Sequence, residues 1–136
     1  MKHTCQALMI SCIDFRLVEV INSFAKTEGL ADNYDHLKIA GSALSLARPT
    51  GESIRNFLLD QIAVSLNSHQ ARVVYIINHE DCGAYGGKAA FESDQAEFNQ
   101  HQIDLKSALE IIKNKFPEVE VKLYWLKLNK SFQKLV

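Results

Sequence analysis

The chain has 136 residues, a formal net charge of -1 and 47% hydrophobic residues, which fits one domain over residues 1–136 with enough apolar content for a core without disulfide or metal staples. A pI near 6.5 gives no basic field for nucleic acid or anionic lipid, so both are excluded as partners. No apolar stretch approaches the length of a membrane span.

Ala7-Leu8-Met9-Ile10 is a continuous apolar run and predicts a strand buried on both faces. Leu17, Val20, Ile21 and Phe24 recur at helical spacing and fade by Gly29, which predicts a first helix. From Asp35 to Ala40, Leu37 and Ile39 alternate with His36 and Lys38, as in an edge strand. Gly41 to Gly51 is rich in small residues, contains Pro49 and reads as a covering loop. Ile54, Phe57, Leu58, Ile62 and Leu66 then mark an amphipathic helix over 52–67.

A second fully buried strand covers 72–77 and runs up to His79. Gly83, Gly86 and Gly87 keep the following backbone tight. Asp94 with Glu97 forms a capping pair for a long helix carried by Phe98, Leu105, Leu109, Ile112 and Phe116, which Pro117 stops. Val119, Val121, Leu123 and Trp125 alternate with Glu120, Lys122 and Tyr124 and predict a second edge strand. The tail after Asn129 carries no pattern.

Strands separated by helices of this length call for right-handed crossovers and a mainly parallel sheet. The expected fold is α/β: a three-layer, Rossmann-like sandwich with helices on both faces and strand order 2-1-3-4. In that order the winding reverses between the first and third strands, and a ligand crevice opens at their carboxyl ends. Cys12 follows the first strand and His79 the third, so two distant segments converge there.

Cys12, His79 and Cys82 make a Cys2His set, which suits zinc and leaves a fourth tetrahedral position open, the mark of a catalytic rather than structural ion. Taken singly, a free cysteine is usually a small core residue and a histidine a satisfied polar group; the shared crevice favours the ligand reading. Asp14 and Arg16, two residues apart, face one side of an extended turn. Arg16 forking onto Asp14 keeps the carboxylate ionised and off the metal. Zinc would lower the pKa of its water from 15.7 to about 7, giving a hydroxide for attack on a small electrophilic carbon. Asp81 is expected to support the ligands through hydrogen bonds, and Glu80 to be solvated or to do the same.

Cys5, Cys12 and Cys82 are an odd cysteine count, which points to a reducing compartment, the cytoplasm. The apolar run before Cys12 is too short for an export signal. The stretch Cys82 to Ala89 imitates a phosphate loop but lacks its first glycine and its metal-binding hydroxyl. His3, His36, His69 and His101 show no partner in sequence.

Cys12-x-Asp14-x-Arg16 together with His79-x-Asp81-Cys82-Gly83 resembles the paired signature of the β-class carbonic anhydrases, and the resemblance runs from Leu8 to about Leu128. It implies Cys12, His79 and Cys82 as ligands of one zinc per chain, Asp14 and Arg16 as the catalytic pair, and reversible hydration of carbon dioxide to bicarbonate. Ala40-Gly41 is similar to the end of the family's Arg-Asn-Ala-Gly loop, with Lys38 and Ile39 in place of its first two residues. Gly41, Asp81 and Gly83 thus join the site's supporting loops.

The resemblance further implies a homo-oligomer, with a homodimer as the expected form. Eleven residues precede Cys12, so the helical arm with which typical members embrace a partner is expected to be missing. Phe15 stands at a position that is usually serine. Two alternatives follow: a carbonyl sulfide or carbon disulfide hydrolase on the same scaffold, and a non-catalytic zinc module in which Asp14 closes the metal site.

Overall fold

The computed structural model describes residues 3–136. β1 (Ala7–Ser11) is buried at all five positions, and β3 (Val73–His79) at its last six. They lie side by side and parallel, Ala7 opposite Val73 and Ile10 opposite Ile76. β2 (Tyr34–Lys38) pairs parallel with the other edge of β1, from Ala7 opposite Tyr34 to Ser11 opposite Lys38. β4 (Glu120–Leu126) pairs parallel with β3 and brings Leu126 opposite His79.

The sheet has the expected order 2-1-3-4, extended by a fifth strand. β5 (Phe132–Lys134) adds antiparallel to β4, so the full order is 2-1-3-4-5 and β4 is interior rather than an edge. Its polar alternation is explained by aromatic cover. The Tyr124 ring lies 4.9 Å from that of Phe24, and Phe132 stacks on Phe24 at 4.2 Å.

Alternation along β1 divides the core into two layers. Leu8 and Ile10 point to α3 (Glu52–Ser68) and α4 (Asp94–Lys115), meeting Leu58, Ile62, Leu105 and Ile112. Ala7 and Met9 point the other way, to Ile21 and Ala25 of α1 (Val18–Thr27). Helices therefore cover both faces, as the buried runs require.

Three sequence expectations need correction in detail. The loop over 41–51 contains a short helix, α2 (Leu44–Ala47), whose Leu46 is fully buried. On α3, Phe57 is 60% exposed and Ile54 39%, so the buried stripe is Leu58, Leu59, Ile62, Ser65 and Leu66 instead. The cap of α4 is Ser93, whose hydroxyl accepts from the Ala96 amide at 3.0 Å. Glu97 is thereby free for another role. Among the described residues, no helix is long and apolar enough to cross a membrane.

Candidate metal centre

The carboxyl ends of β1 and β3 carry Cys12 and His79 to the same crevice, and the turn after β3 returns Cys82 beneath them. All three side chains are buried, and one ligand atom from each lies within 4.8 Å of the others. The two sulfurs are 3.9 Å apart. Their mutual hydrogen bond lowers the Cys12 thiol pKa and raises that of Cys82, so the pair favours one thiolate beside one thiol.

His79 is oriented by its neighbour. Its Nδ1 lies 2.7 Å from the Glu80 carbonyl oxygen, an acceptor only, so Nδ1 carries the proton and donates it. That tautomer leaves Nε2 as a lone pair, and this atom is buried with no hydrogen-bond partner. An orphaned buried acceptor costs about 1–3 kcal/mol. Two sulfurs and a lone-pair nitrogen converging in a buried pocket are the donor set of a borderline-soft divalent cation. The residues present therefore fit a zinc ion.

Asp14 sits at the rim, its Oδ2 3.8 Å from His79 Nε2. The Arg16 backbone N–H donates to Asp14 Oδ1 at 2.9 Å. The guanidinium spans both oxygens, with Nη2 donating to Oδ2 at 2.7 Å and Nε to Oδ1 at 3.1 Å. Arg16 holds the Asp14 carboxyl below the usual carboxylate range. The far side of the same guanidinium reaches the second segment: Nη1 donates to Asp81 Oδ2 at 3.0 Å and Nη2 to the Asp81 carbonyl at 2.9 Å. Arg16 thus ties the turn after β1 to the turn after β3.

Asp81 has φ +60°, a left-handed conformation. It is held by the Lys88 backbone N–H, which donates to Oδ1 at 2.7 Å, and by its own N–H, which donates to Glu97 Oε2 at 2.7 Å. Gly87, at φ +77°, lets the loop fold back; a Cβ there would stand 3.2 Å from Asp81 Oδ1. Gly83 opens the short turn after Cys82 and has open space where a side chain would be. With Asp14, Phe15, Arg16, Asp81 and Gly87 it lines a cavity of about 460 Å³ at the crevice mouth. Gly41 is brought in from the other flank, its N–H donating to Cys12 Sγ at 3.4 Å.

Residues 2–136 match the family described as "Putative carbonic anhydrase". The chain belongs to this carbonic anhydrase family. It is 30% identical over 130 residues to an uncharacterized protein of Rickettsia conorii, covering 93% of this chain and 70% of that one. In fold it is similar to solved β-carbonic anhydrases. A carbonic anhydrase from Streptococcus mutans superposes with a TM-score of 0.68 at 15% identity, over 100% of this chain and 86% of that one. One of the structures of two tetrameric β-carbonic anhydrases from Sordaria macrospora gives 0.67 at 11%, over 97% and 81%. The apo form of a carbon disulfide hydrolase gives 0.61 at 15%, over 98% and 81%.

Beneath the centre, this carbonic anhydrase family member has a polar layer that the sequence reading passes over. Glu97, His101 and Asp104 lie at i, i+4 and i+7 on α4, and all three are buried. Glu97 supports Asp81, and burial raises its carboxyl pKa. His101 Nδ1 is 2.9 Å from Asn78 Nδ2, while Asn78 Oδ1 accepts from the Ala43 N–H at 3.1 Å. Asp104 accepts from Tyr85 at 2.8 Å and from Arg48 Nε and Nη2. Glu80 is half-buried: it pairs with Lys88 and accepts from the Leu128 amide at 2.9 Å. The polar spacing at 97, 101 and 104 is visible in the sequence but by itself reads as a solvated helix face.

Proposed function

We propose that this protein catalyses reversible hydration of carbon dioxide to bicarbonate, with one zinc ion held by Cys12, His79 and Cys82. The observation that carries the reading is the buried, unpartnered Nε2 of His79 in a cluster with two cysteine sulfurs, beside a carboxylate that Arg16 grips by both oxygens. When bound, zinc supplies the Lewis acidity that makes a nucleophile of water near neutral pH.

The chain's own residues supply the rest. The Glu80 carbonyl fixes the His79 tautomer, and the Gly41 N–H offsets negative charge on Cys12 Sγ. Asp14, kept ionised by Arg16, would accept a hydrogen bond from a water or hydroxide at the site and orient it towards the carbon. Arg16 also holds Asp14 at the rim by both oxygens, which would leave a fourth position free for water when Cys12, His79 and Cys82 hold the ion. Gly83, Gly86 and Gly87 add no side chains to their side of the cavity, which leaves room there for a triatomic substrate. The working unit in this reading is a cytoplasmic homodimer. Ile13 and Phe15, 61% and 85% exposed beside the crevice, give a second copy an apolar surface to cover.

Phe15 also favours a second reading, hydrolysis of carbon disulfide or carbonyl sulfide. An exposed phenyl ring at the cavity mouth makes entry apolar, and a carbon disulfide hydrolase shares the fold. Stopped-flow hydration across pH, run beside sulfide release from both sulfur substrates and metal analysis of the same sample, separates the readings. Fast hydration at neutral pH with about one zinc at this site is the expected result. Sulfide release without hydration selects the second reading. Zinc bound with no turnover of any substrate at any pH leaves a binding module with Asp14 on the metal.

A further inference from the structure

A second cluster of metal-ligating side chains lies at the opposite, amino-terminal end of the sheet. Cys5 precedes β1, Asp35 is the second residue of β2 and His69 follows α3, so three separate segments supply it. Asp35 Oδ2 is 3.6 Å from Cys5 Sγ and 2.8 Å from His69 Nδ1. One ligand atom from each of the three lies within 4.8 Å of the others. Ser65 Oγ donates to Asp35 Oδ2 at 2.7 Å, an orienting contact of the kind that ligating carboxylates usually have. A cavity of about 190 Å³ lined by Asp35, His36, Ser65 and His69 opens beside the cluster.

We propose that Cys5, Asp35 and His69 form a second metal site for a borderline-soft divalent cation, zinc by donor chemistry, separate from the centre at Cys12. One sulfur, one carboxylate oxygen and one imidazole nitrogen are each accepted by zinc, whereas the sulfur and nitrogen turn away magnesium and calcium. His3 lies beside the cluster, its ring edge-on to that of His69 at 4.8 Å between centroids. Asp35 and His69 are each 31% exposed, so an ion can reach the cluster without unfolding. Binding moves the Cys5 thiol proton to solvent and replaces the His69–Asp35 hydrogen bond by two bonds to the metal. The competing role is mechanical: the Cys5 N–H donates to the His69 carbonyl at 2.8 Å, which ties the N-terminal segment to the end of α3.

Zinc titration of the intact purified chain against a chromophoric chelator, with elemental analysis, separates the two roles. The wild type is expected to hold about two zinc ions per chain, and C5S and H69A about one each, with at least about tenfold weaker uptake of the second. C82S is also expected to lose one, the other one. Cobalt(II) loading reports thiolate ligation directly, and C5S should lose part of the sulfur charge-transfer absorption while C82S loses a different part. Where C5S or H69A is poorly folded, D35N gives the same count with the thiol and ring in place. Saturation of the wild type at one zinc, or a second zinc kept by C5S, H69A and D35N alike, overturns the site. A single zinc that is lost in C82S and kept in C5S does so while leaving the proposed catalytic centre standing.

Discussion

Arg16 grips Asp14 by both carboxylate oxygens and Asp81 by its side chain and its carbonyl. One guanidinium therefore sets the position of the candidate catalytic carboxylate against the loop that carries Cys82. Removing it would free Asp14, whose Oδ2 is already 3.8 Å from His79 Nε2, to reach an ion bound at the proposed centre. R16A is expected to keep its zinc at Cys12 and to lose about 10- to 100-fold in hydration rate at neutral pH. Stopped-flow assays with metal analysis check this. An R16A protein as fast as the wild type would remove Asp14 restraint from the mechanism.

Metal removal is expected to lower stability without dissolving the fold. The two core layers hold β1 and β3 from both faces through residues such as Met9, Ile10, Ile62 and Leu105, all fully buried, so the ion is not needed to build the sheet. A ligand that binds only the native state contributes about 2.7 kcal/mol when free at 100 times its Kd. Dialysis against a strong chelator, or C82S, should lower the unfolding midpoint while far-ultraviolet circular dichroism at 25 °C stays unchanged. Loss of the circular dichroism signal on chelation would make the ion structural instead.

The two central strands were legible because a continuous apolar run between helices has few other readings, and Cys12 and His79 followed from where those runs end. β5 was not. Phe132-Gln133-Lys134 is three residues long with one apolar side chain, and its pairing with Tyr124, Trp125 and Leu126 and the stacking of Phe132 on Phe24 make it a strand. Arg16 and Asp14 were readable as neighbours, but the Lys88 contact to Asp81 depends on left-handed backbone at Asp81 and Gly87. Glu97, His101 and Asp104 were hidden for a different reason. A polar stripe on a helix is normally its solvated face, and here it faces inward because Asn78, Tyr85 and the Asp81 amide supply partners.

One buried histidine, His101, and one half-buried histidine, His36, should make the fold acid-sensitive. Burial lowers the pKa of His101, and burial with Lys38 lowers that of His36, both to about 4. The unfolded rings bind protons near 6.5 while the folded ones refuse them until about 4, so acid favours unfolding between those values. Stability is then fully present above about 6.5 and falls by about 1.4 kcal/mol per pH unit for each ring as pH drops through the window. Urea unfolding at several pH values tests the slope. H36N should make it shallower, and an unchanged slope in that variant would show that His36 titrates normally in the folded protein.

Gly41 tests whether backbone geometry alone can tune the metal centre. Its φ is +79°, and a Cβ there would stand 2.9 Å from Leu44 Cβ and 3.1 Å from Ala84 Cβ. Leu44 opens α2 and Ala84 follows Cys82, so neither can retreat without moving an element that frames the site. The strain of a side chain at this position is of order 1–3 kcal/mol, and it is relieved by withdrawing the Gly41 N–H from Cys12 Sγ. G41V should therefore weaken zinc binding about 10- to 100-fold although no ligand has changed. S42A, which loses a 3.2 Å hydrogen bond from Oγ to the Ile10 carbonyl in the same turn, should cost about 1 kcal/mol of stability with zinc affinity kept. Competition titrations with a zinc chelator on both variants read the difference, and equal zinc affinity in G41V and wild type would mean that the amide contact to Cys12 contributes nothing.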